Sequence, residues 1–235
     1  MSSWTAKRFW KQALAEPCAG GFTVSLDGRA VKTPAKRALV VPTLAMAEVI
    51  AAEWDAQTGR VRPETMPATR AANSALDNVA LNFAEVAADL ARYGETDLLC
   101  YRATSPQELI DRQADAWDPL LDWSAAALRA PLIATAGVMH IRQPETSIAK
   151  LTAQVHAFTP FQLAAVHDLI AISGSLILAL AVTRGRLSVD EAWSLSRIDE
   201  TWQNELWGVD EDAAALESLK RQAMTEAARF FALCG

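Results

Sequence analysis

Alternating apolar and polar positions occur only near the start of the chain. Phe22-Thr23-Val24-Ser25-Leu26 alternates with period two, which predicts a half-buried strand. Asp27-Gly28 follows. Gly accepts the positive φ of a two-residue hairpin turn, so Arg29 to Lys32 is expected to return as a second strand. Ala38 to Val41 is a further short β run before Pro42. Thr43 precedes apolar residues at helical spacing from Leu44 to Gln57 and is the expected N-cap, with Gly59 as the stop. Pro63 and Pro67 make residues 60–68 an extended linker or an edge segment.

After Thr69 the period becomes that of a helix. Arg70 to Tyr93 reads as one long helix ended by Gly94. Ser105-Pro106-Gln107-Glu108 has the form of a capping box with Pro at the first helical position, and the helix it opens should kink or break near Pro119. Residues 131–142 are mixed in character and read as partly extended. Thr159-Pro160-Phe161-Gln162 is another box. The run it opens is apolar nearly all round to Val182 and stops at Gly185, as the central helix of a bundle would. Ser188-Val189-Asp190-Glu191 opens a helix to Trp207-Gly208, and a final helix covers Glu211 to Leu233. The pattern predicts an α+β fold in two domains. Residues 1–68 form a small β-rich α+β domain with a hairpin and one helix, and residues 69–235 a larger all-helical domain.

Composition narrows the class. A chain of 235 residues with 51% hydrophobic content can bury a real core, which excludes disorder as the main state. A net charge of −6 argues against a dedicated nucleic-acid binder. Residues 1–70 hold 10 Lys/Arg against 6 Asp/Glu and residues 71–235 hold 12 against 22, so the two regions should present different surfaces. Cys18, Cys100 and Cys234 have neither disulfide-framework nor zinc spacing and are expected to be reduced thiols. The apolar window Leu169 to Thr183 is too short for a comfortable membrane span, so no membrane insertion is expected. Met1 to Arg8 shows no apolar export segment and no Arg/Ser-rich presequence. A bacterial cytoplasmic protein is expected, with a processed mitochondrial matrix protein as the alternative.

Candidate chemistry is sparse. No phosphate loop, dinucleotide fingerprint, zinc-protease pair or nucleophile elbow is present, and no cofactor or metal is expected. His140, His156 and His167 share no ligand spacing. His167 stands beside Asp168, but i and i+1 do not face each other on a helix, so a helix-surface or core histidine is expected rather than a base with its orienter. The segment Asp199 to Glu217 is more telling: it holds Asp199, Glu200, Glu205, Asp210, Glu211, Asp212 and Glu217, with no Lys or Arg. A solvated acidic face is the plain reading. Yet Leu195, Ile198, Trp202 and Leu206 form one helical stripe, and Glu205 falls inside it, about 20° from Ile198. A carboxylate on an apolar stripe is either paired in the core or part of a binding surface. Among the 8 tryptophans, Trp54 is expected to pack on the sheet, Trp117 and Trp123 to bracket Pro119, and Trp193, Trp202 and Trp207 to accompany the acidic segment; Trp4 has no assigned place.

Several motifs, taken together, resemble one family. They are Lys7-Arg8-Phe9-Trp10, Leu26-Asp27-Gly28-Arg29 with Lys32-Thr33-Pro34, Glu53-Trp54-Asp55-Ala56-Gln57, Met66-Pro67 and Asn73. Further on come Tyr93 with Thr96-Asp97-Leu98-Leu99-Cys100-Tyr101-Arg102, Trp117-Asp118-Pro119-Leu120-Leu121, Gly174-Ser175-Leu176, Asp199, Gln203 and Trp207-Gly208. The chain resembles, over nearly its whole length, the assembly chaperones of the F-type ATP synthase that handle the alpha subunit of the catalytic head in mitochondria and alphaproteobacteria. The resemblance implies two domains and a non-enzymatic role: binding the unassembled alpha subunit, preventing its aggregation and releasing it to the beta subunit. On this reading Glu205, Asp199, Gln203, Trp202 and Trp207 contact the partner, while Trp54, Asp27 and Gly28 are structural. The alternative is a carboxylate-based, metal-dependent hydrolase or lyase using residues 199–212, which lack the convergent groups a catalytic site needs.

Overall fold

The structure is a computed structural model and describes residues 7–235, so Trp4 lies outside the described residues. It is an α+β fold with a small sheet and a larger helical region. The chain forms two compact units. Among the described residues, one comprises 7–83, 159–165 and 229–235; the other comprises 84–158 and 166–228. Residues 69–83, beyond the expected cut after residue 68, group with the first unit.

In the first unit, β1 (Ala13–Cys18), β2 (Gly21–Leu26) and β3 (Arg29–Ala30) form an antiparallel sheet in sequence order. The sequence pattern did not mark β1, which lacks strict alternation and contains Pro17. It forms as an edge strand in register with β2, from Ala13 opposite Leu26 to Cys18 opposite Gly21, and an edge tolerates proline. Asp27 (φ 48°) and Gly28 (φ 79°) make the turn, both in the left-handed region that a type I′ hairpin requires. The Asp27 carboxylate also accepts the N–H groups of Lys11 (2.9 Å) and Gln12 (3.0 Å), which hold it below the usual carboxylate range. The returning strand is shorter than expected, and Ala38 to Val41 makes isolated bridges through Ala38 and Val41 rather than a strand.

The α1 helix (Leu44–Asp55) packs on β1 and β2. Thr43 caps it, its Oγ1 accepting from the Met46 N–H at 3.2 Å. Met46, Ala47, Ile50, Ala51 and Trp54 form its buried stripe and share a core with Val24, Leu26, Leu39, Val41 and Met66. Arg8 ties the start of the described chain to the end of this helix, donating to the carbonyls of Gln57 (2.8 Å) and Lys11 (2.9 Å) and pairing with Asp55. Residues 60–68 are not a linker. Buried Gln57 accepts from the Arg62 N–H at 2.7 Å and donates to Thr65, a tight turn covers Pro63–Thr65, and α2 (Pro67–Ser74) begins at Pro67. The α2 helix has no local side-chain cap. Glu53 supplies one from α1, accepting the N–H groups of Ala68 (2.7 Å) and Thr69 (2.8 Å).

The single helix expected over residues 70–93 is broken. A π turn over Ala75–Val79 follows α2 and directs Asp77 to the Thr33 hydroxyl (2.7 Å) and the Ala35 N–H (3.0 Å). The α3 helix (Phe83–Ala91) starts afresh.

The second unit is helical apart from β4 (Tyr101–Arg102) paired in parallel with β5 (Thr135–Ala136), the one strand within the mixed stretch 131–142. In α4 (Gln107–Trp123) the expected Ser105 box does not form. Pro106 takes the N-cap position itself, one place later than expected, so Ser105 is out of capping reach. The helix does not break at Pro119; it runs on to Trp123 and a π turn over Ser124–Leu128. After α5 (Glu145–His156), α6 (Pro160–Ser173) has its predicted box: Thr159 N–H donates to Gln162 Oε1 (2.9 Å) and Gln162 N–H to Thr159 Oγ1 (3.3 Å).

The apolar run expected as one central helix is two. Gly174 (φ 71°) ends α6, and Ser175 caps α7 (Leu176–Thr183). Fully buried Asp97 pins the break. It accepts from the Ser175 hydroxyl (2.7 Å) and from the N–H groups of Ile177 (2.9 Å) and Leu99 (3.1 Å). Burial pushes its carboxyl up to about 6 against those hydrogen bonds. The Ser188 capping box forms and opens α8 (Val189–Ser196). The helix does not continue to Trp207: Arg197 leaves helical geometry (φ −118°, ψ 21°) and donates to the Ile172 carbonyl at 2.7 Å, and α9 (Ile198–Trp207) begins anew. The last helix is α10 (Glu211–Ala232). His167 lies on the surface of α6, half exposed, but it does meet its neighbour: Nδ1 is 2.9 Å from Asp168 Oδ1, which raises the imidazole pKa. Both side chains are solvent-facing and bend towards each other, a contact that helical spacing does not reveal. Among the described residues no helix is long and apolar enough to cross a membrane.

Candidate functional site

The break at Arg197 moves Leu195 onto α8 and changes the stripe read from the sequence. Ile198 is buried and Trp202 half-buried, but Leu206 is 58% exposed. Glu205 is therefore not a core carboxylate. It lies on the open side of α9, three residues after Trp202 and so on the same face.

Two residues of α4 organise that face. Buried Gln113 donates from Nε2 to Asp199 Oδ1 at 2.6 Å, while its Oε1 accepts the Ala103 N–H at 2.7 Å. Arg112 stands over the Trp202 ring, 4.9 Å from its centroid, and its Nη1 reaches Glu205 Oε1 and Oε2 at 3.0 Å each. That hydrogen bond raises the pKa of the guanidinium. Beside the pair a groove of about 350 Å³ is lined by Arg112, Trp193, Arg197, Thr201 and Glu217, among others. Gln203 is exposed, and Trp207, the last residue of α9, is 85% exposed. Of the five expected partner residues, the structure links Asp199, Trp202 and Glu205 through α4; Gln203 and Trp207 stand in solvent. Trp54, Asp27 and Gly28 belong to the first unit.

Sequence reasoning missed part of this surface. Val209, Leu216 and Leu219 are 66%, 54% and 64% exposed, so the large apolar residues from Leu206 to Leu219 are mostly open to solvent. Leu216 and Leu219, at i and i+3, share a face of α10, and that spacing was a usable signal. Among the described residues Asp210, Glu211, Asp212 and Glu217 make no ion pair, so unpaired negative charge is interspersed with these apolar residues along the chain. Solitary exposed apolar side chains are ordinary; five within one short segment, rimmed by uncompensated acids, have the make-up of an interaction surface. The same acids do not build a metal centre. Among the described residues no three of His, Cys, Asp and Glu converge.

Comparison with known proteins covers almost the whole chain. The family described as ATP12 chaperone protein matches residues 7–125. Protein atp12, mitochondrial, of Schizosaccharomyces pombe is 27% identical over 235 residues, spanning 94% of this chain and 81% of that one. Atp12 from Paracoccus denitrificans has a crystal structure 48% identical to this chain, covering 98% of it and 99% of its own length, with a TM-score of 0.96. The Atu1473 protein of Agrobacterium tumefaciens is 41% identical, with coverage of 98% and 87% and a TM-score of 0.94.

Proposed function

This chain belongs to the ATP12 chaperone family, whose members assemble ATP synthase, and on that premise we propose that it binds the unassembled alpha subunit of the catalytic head, keeps it from aggregating and releases it to the beta subunit. The observation that carries the reading is the exposed apolar run from Leu206 to Leu219 with its rim of acids. An unassembled head subunit exposes an apolar interface that aggregates unless covered. A cover must also come off, so it should be partly polar and not resemble a sealed core. Trp207 supplies a large anchor at little folding cost, since it is already in solvent. Asp199, Gln203 and Glu205 contribute the polar part of the same surface, with the Trp202 ring beside them. The expected setting is the bacterial cytoplasm, or the mitochondrial matrix for a eukaryotic source; of the relatives, the one from Schizosaccharomyces pombe is described as mitochondrial.

Co-expression with the alpha and beta subunits followed by pull-down tests the reading. Alpha alone should be retained, and added beta should strip it off. Retention of neither subunit would end the proposal. Glu205→Lys should fold as wild type, because exposed substitutions rarely change stability by more than about 0.5 kcal/mol. It should nevertheless weaken alpha capture by about tenfold or more, as expected for loss of a central interface contact. Trp207→Ala is expected to behave alike in a light-scattering assay of alpha aggregation, with an unchanged melting temperature.

A further inference from the structure

The described residues contain four arginine–tryptophan stacks, and one is built unlike the others. Arg8 over Trp10, Arg102 over Trp117 and Arg197 over Trp193 lie 5.6, 5.3 and 5.1 Å from the ring centroids. Each of these guanidiniums also donates to a backbone carbonyl: Arg8 to Trp10, Arg102 to Leu99 and Arg197 to Ile172. Their side chains are 24%, 11% and 14% exposed. They are structural clamps. Arg112 has the closest stack, 4.9 Å over Trp202, and among the described residues it donates to Glu205 and to no backbone carbonyl. It is held by Glu205 through one nitrogen, without the two-nitrogen fork that arginine and carboxylate favour. Its side chain is 39% exposed and that of Glu205 is 50% exposed. Exposed pairs of this kind are weak and easily exchanged.

A ring face and a carboxylate one helical turn apart make a seat for a planar cation. We infer that Arg112 is a displaceable occupant of this seat, and that the protein client inserts an arginine of its own between Trp202 and Glu205. The choice of arginine follows from the chemistry of the seat and from the charge around it, since residues 199–217 carry seven acids and no base. Apolar neighbours of that arginine would meet Leu206, which is exposed and follows Glu205 on α9. Glu217 lines the same groove as Arg112 and makes no ion pair among the described residues, so it can receive the displaced guanidinium. The exchange keeps the number of charge pairs constant, which suits a client that must later leave. This inference rests on the reading of the α9 face as the client surface, but the seat itself can be tested without a client.

The test uses the full chain labelled with ¹⁵N and titrated with N-acetyl-arginine methylamide, following the Trp202 indole N–H signal, assigned with Trp202→Phe. Arg112→Met should respond at about threefold lower ligand concentration than wild type, the scale of one exposed cation–π contact. Adding Glu205→Gln to Arg112→Met should abolish the response, and the lysine analogue should bind more weakly. Arg112→Met should also release the alpha subunit more slowly. Arg112→Gln serves equally if Arg112→Met lowers the melting temperature. No indole response in either variant, with alpha still retained by wild type, overturns the seat and leaves the client reading standing. An indole response as described, with alpha never retained, upholds the seat and removes alpha as its client. If Arg112→Met weakens alpha capture as much as Glu205→Lys does, Arg112 is itself a contact and displacement is wrong.

Discussion

Trp54→Ala is expected to cost about 3–5 kcal/mol, the range for removing a large aromatic side chain from a packed core. Trp54 is 5% exposed and meets Trp10 edge to face, with centroids 5.2 Å apart. Its neighbours on α1, Ile50 and Ala51, are buried in the same cluster, so the cavity has few mobile groups to refill it. A domain has only about 5–15 kcal/mol in hand. The variant should therefore lose most of the stability of the first unit, seen in urea as an early transition, while the helical signal of the second unit persists. The proposed capture of the alpha subunit would fall as a consequence of unfolding. A melting curve within 2 °C of wild type, a small shift for so large a deletion, would contradict this structural role.

Asp97→Ala should be at least as damaging, for a different reason. It leaves three buried donors without acceptors: the Ser175 hydroxyl and the N–H groups of Ile177 and Leu99. Each orphaned donor costs about 1–3 kcal/mol. Asp97→Asn should be milder. Its one carbonyl oxygen can still serve Ser175 and Leu99, but its amide would point N–H at the N–H of Ile177. The two proteins should also differ in pH response. The Asp97 carboxyl is raised by burial to about 6, above the ordinary 3.8, so the folded state takes up a proton before the unfolded state does. As pH falls from 7 through 6 towards 4, wild type gains stability from this group and Asp97→Asn does not. The gap between them should widen between pH 7 and pH 5 in parallel denaturant melts. A gap that stays constant or narrows would show that the carboxyl titrates normally.

These two residues illustrate what a sequence can and cannot disclose. Local devices were legible: the Asp27-Gly28 turn, the Thr43 cap and the boxes at Thr159 and Ser188 depend on residues within a few positions of one another. The breaks in the long apolar runs were not, because a distant side chain makes each of them favourable. Asp97 acts on α7 across 80 residues to Ile177, and Arg197 reaches back to Ile172. Glu53 likewise starts α2 from another helix, which turned an apparent linker into structure. At the candidate site, the shared face of Trp202 and Glu205 followed from their spacing. The stack and ion pair with Arg112, 93 residues away from Glu205, did not. The family motifs become intelligible in the same terms, since Asp97 meets Ser175 and Arg8 meets Asp55, each pair joining two separate motifs.

The core of the first unit has a consequence for the order of synthesis. Phe230 lies within it, Phe231, Leu233 and Cys234 pack against it, and the Thr43 hydroxyl donates to the Leu233 carbonyl 190 residues away. Sheet and α1 thus leave the ribosome long before the residues that close their core. At about 5–20 residues per second, that interval is about 10–40 s. Throughout it the unit stands open beside a growing chain, exposing the kind of apolar surface that the protein is proposed to cover on its client.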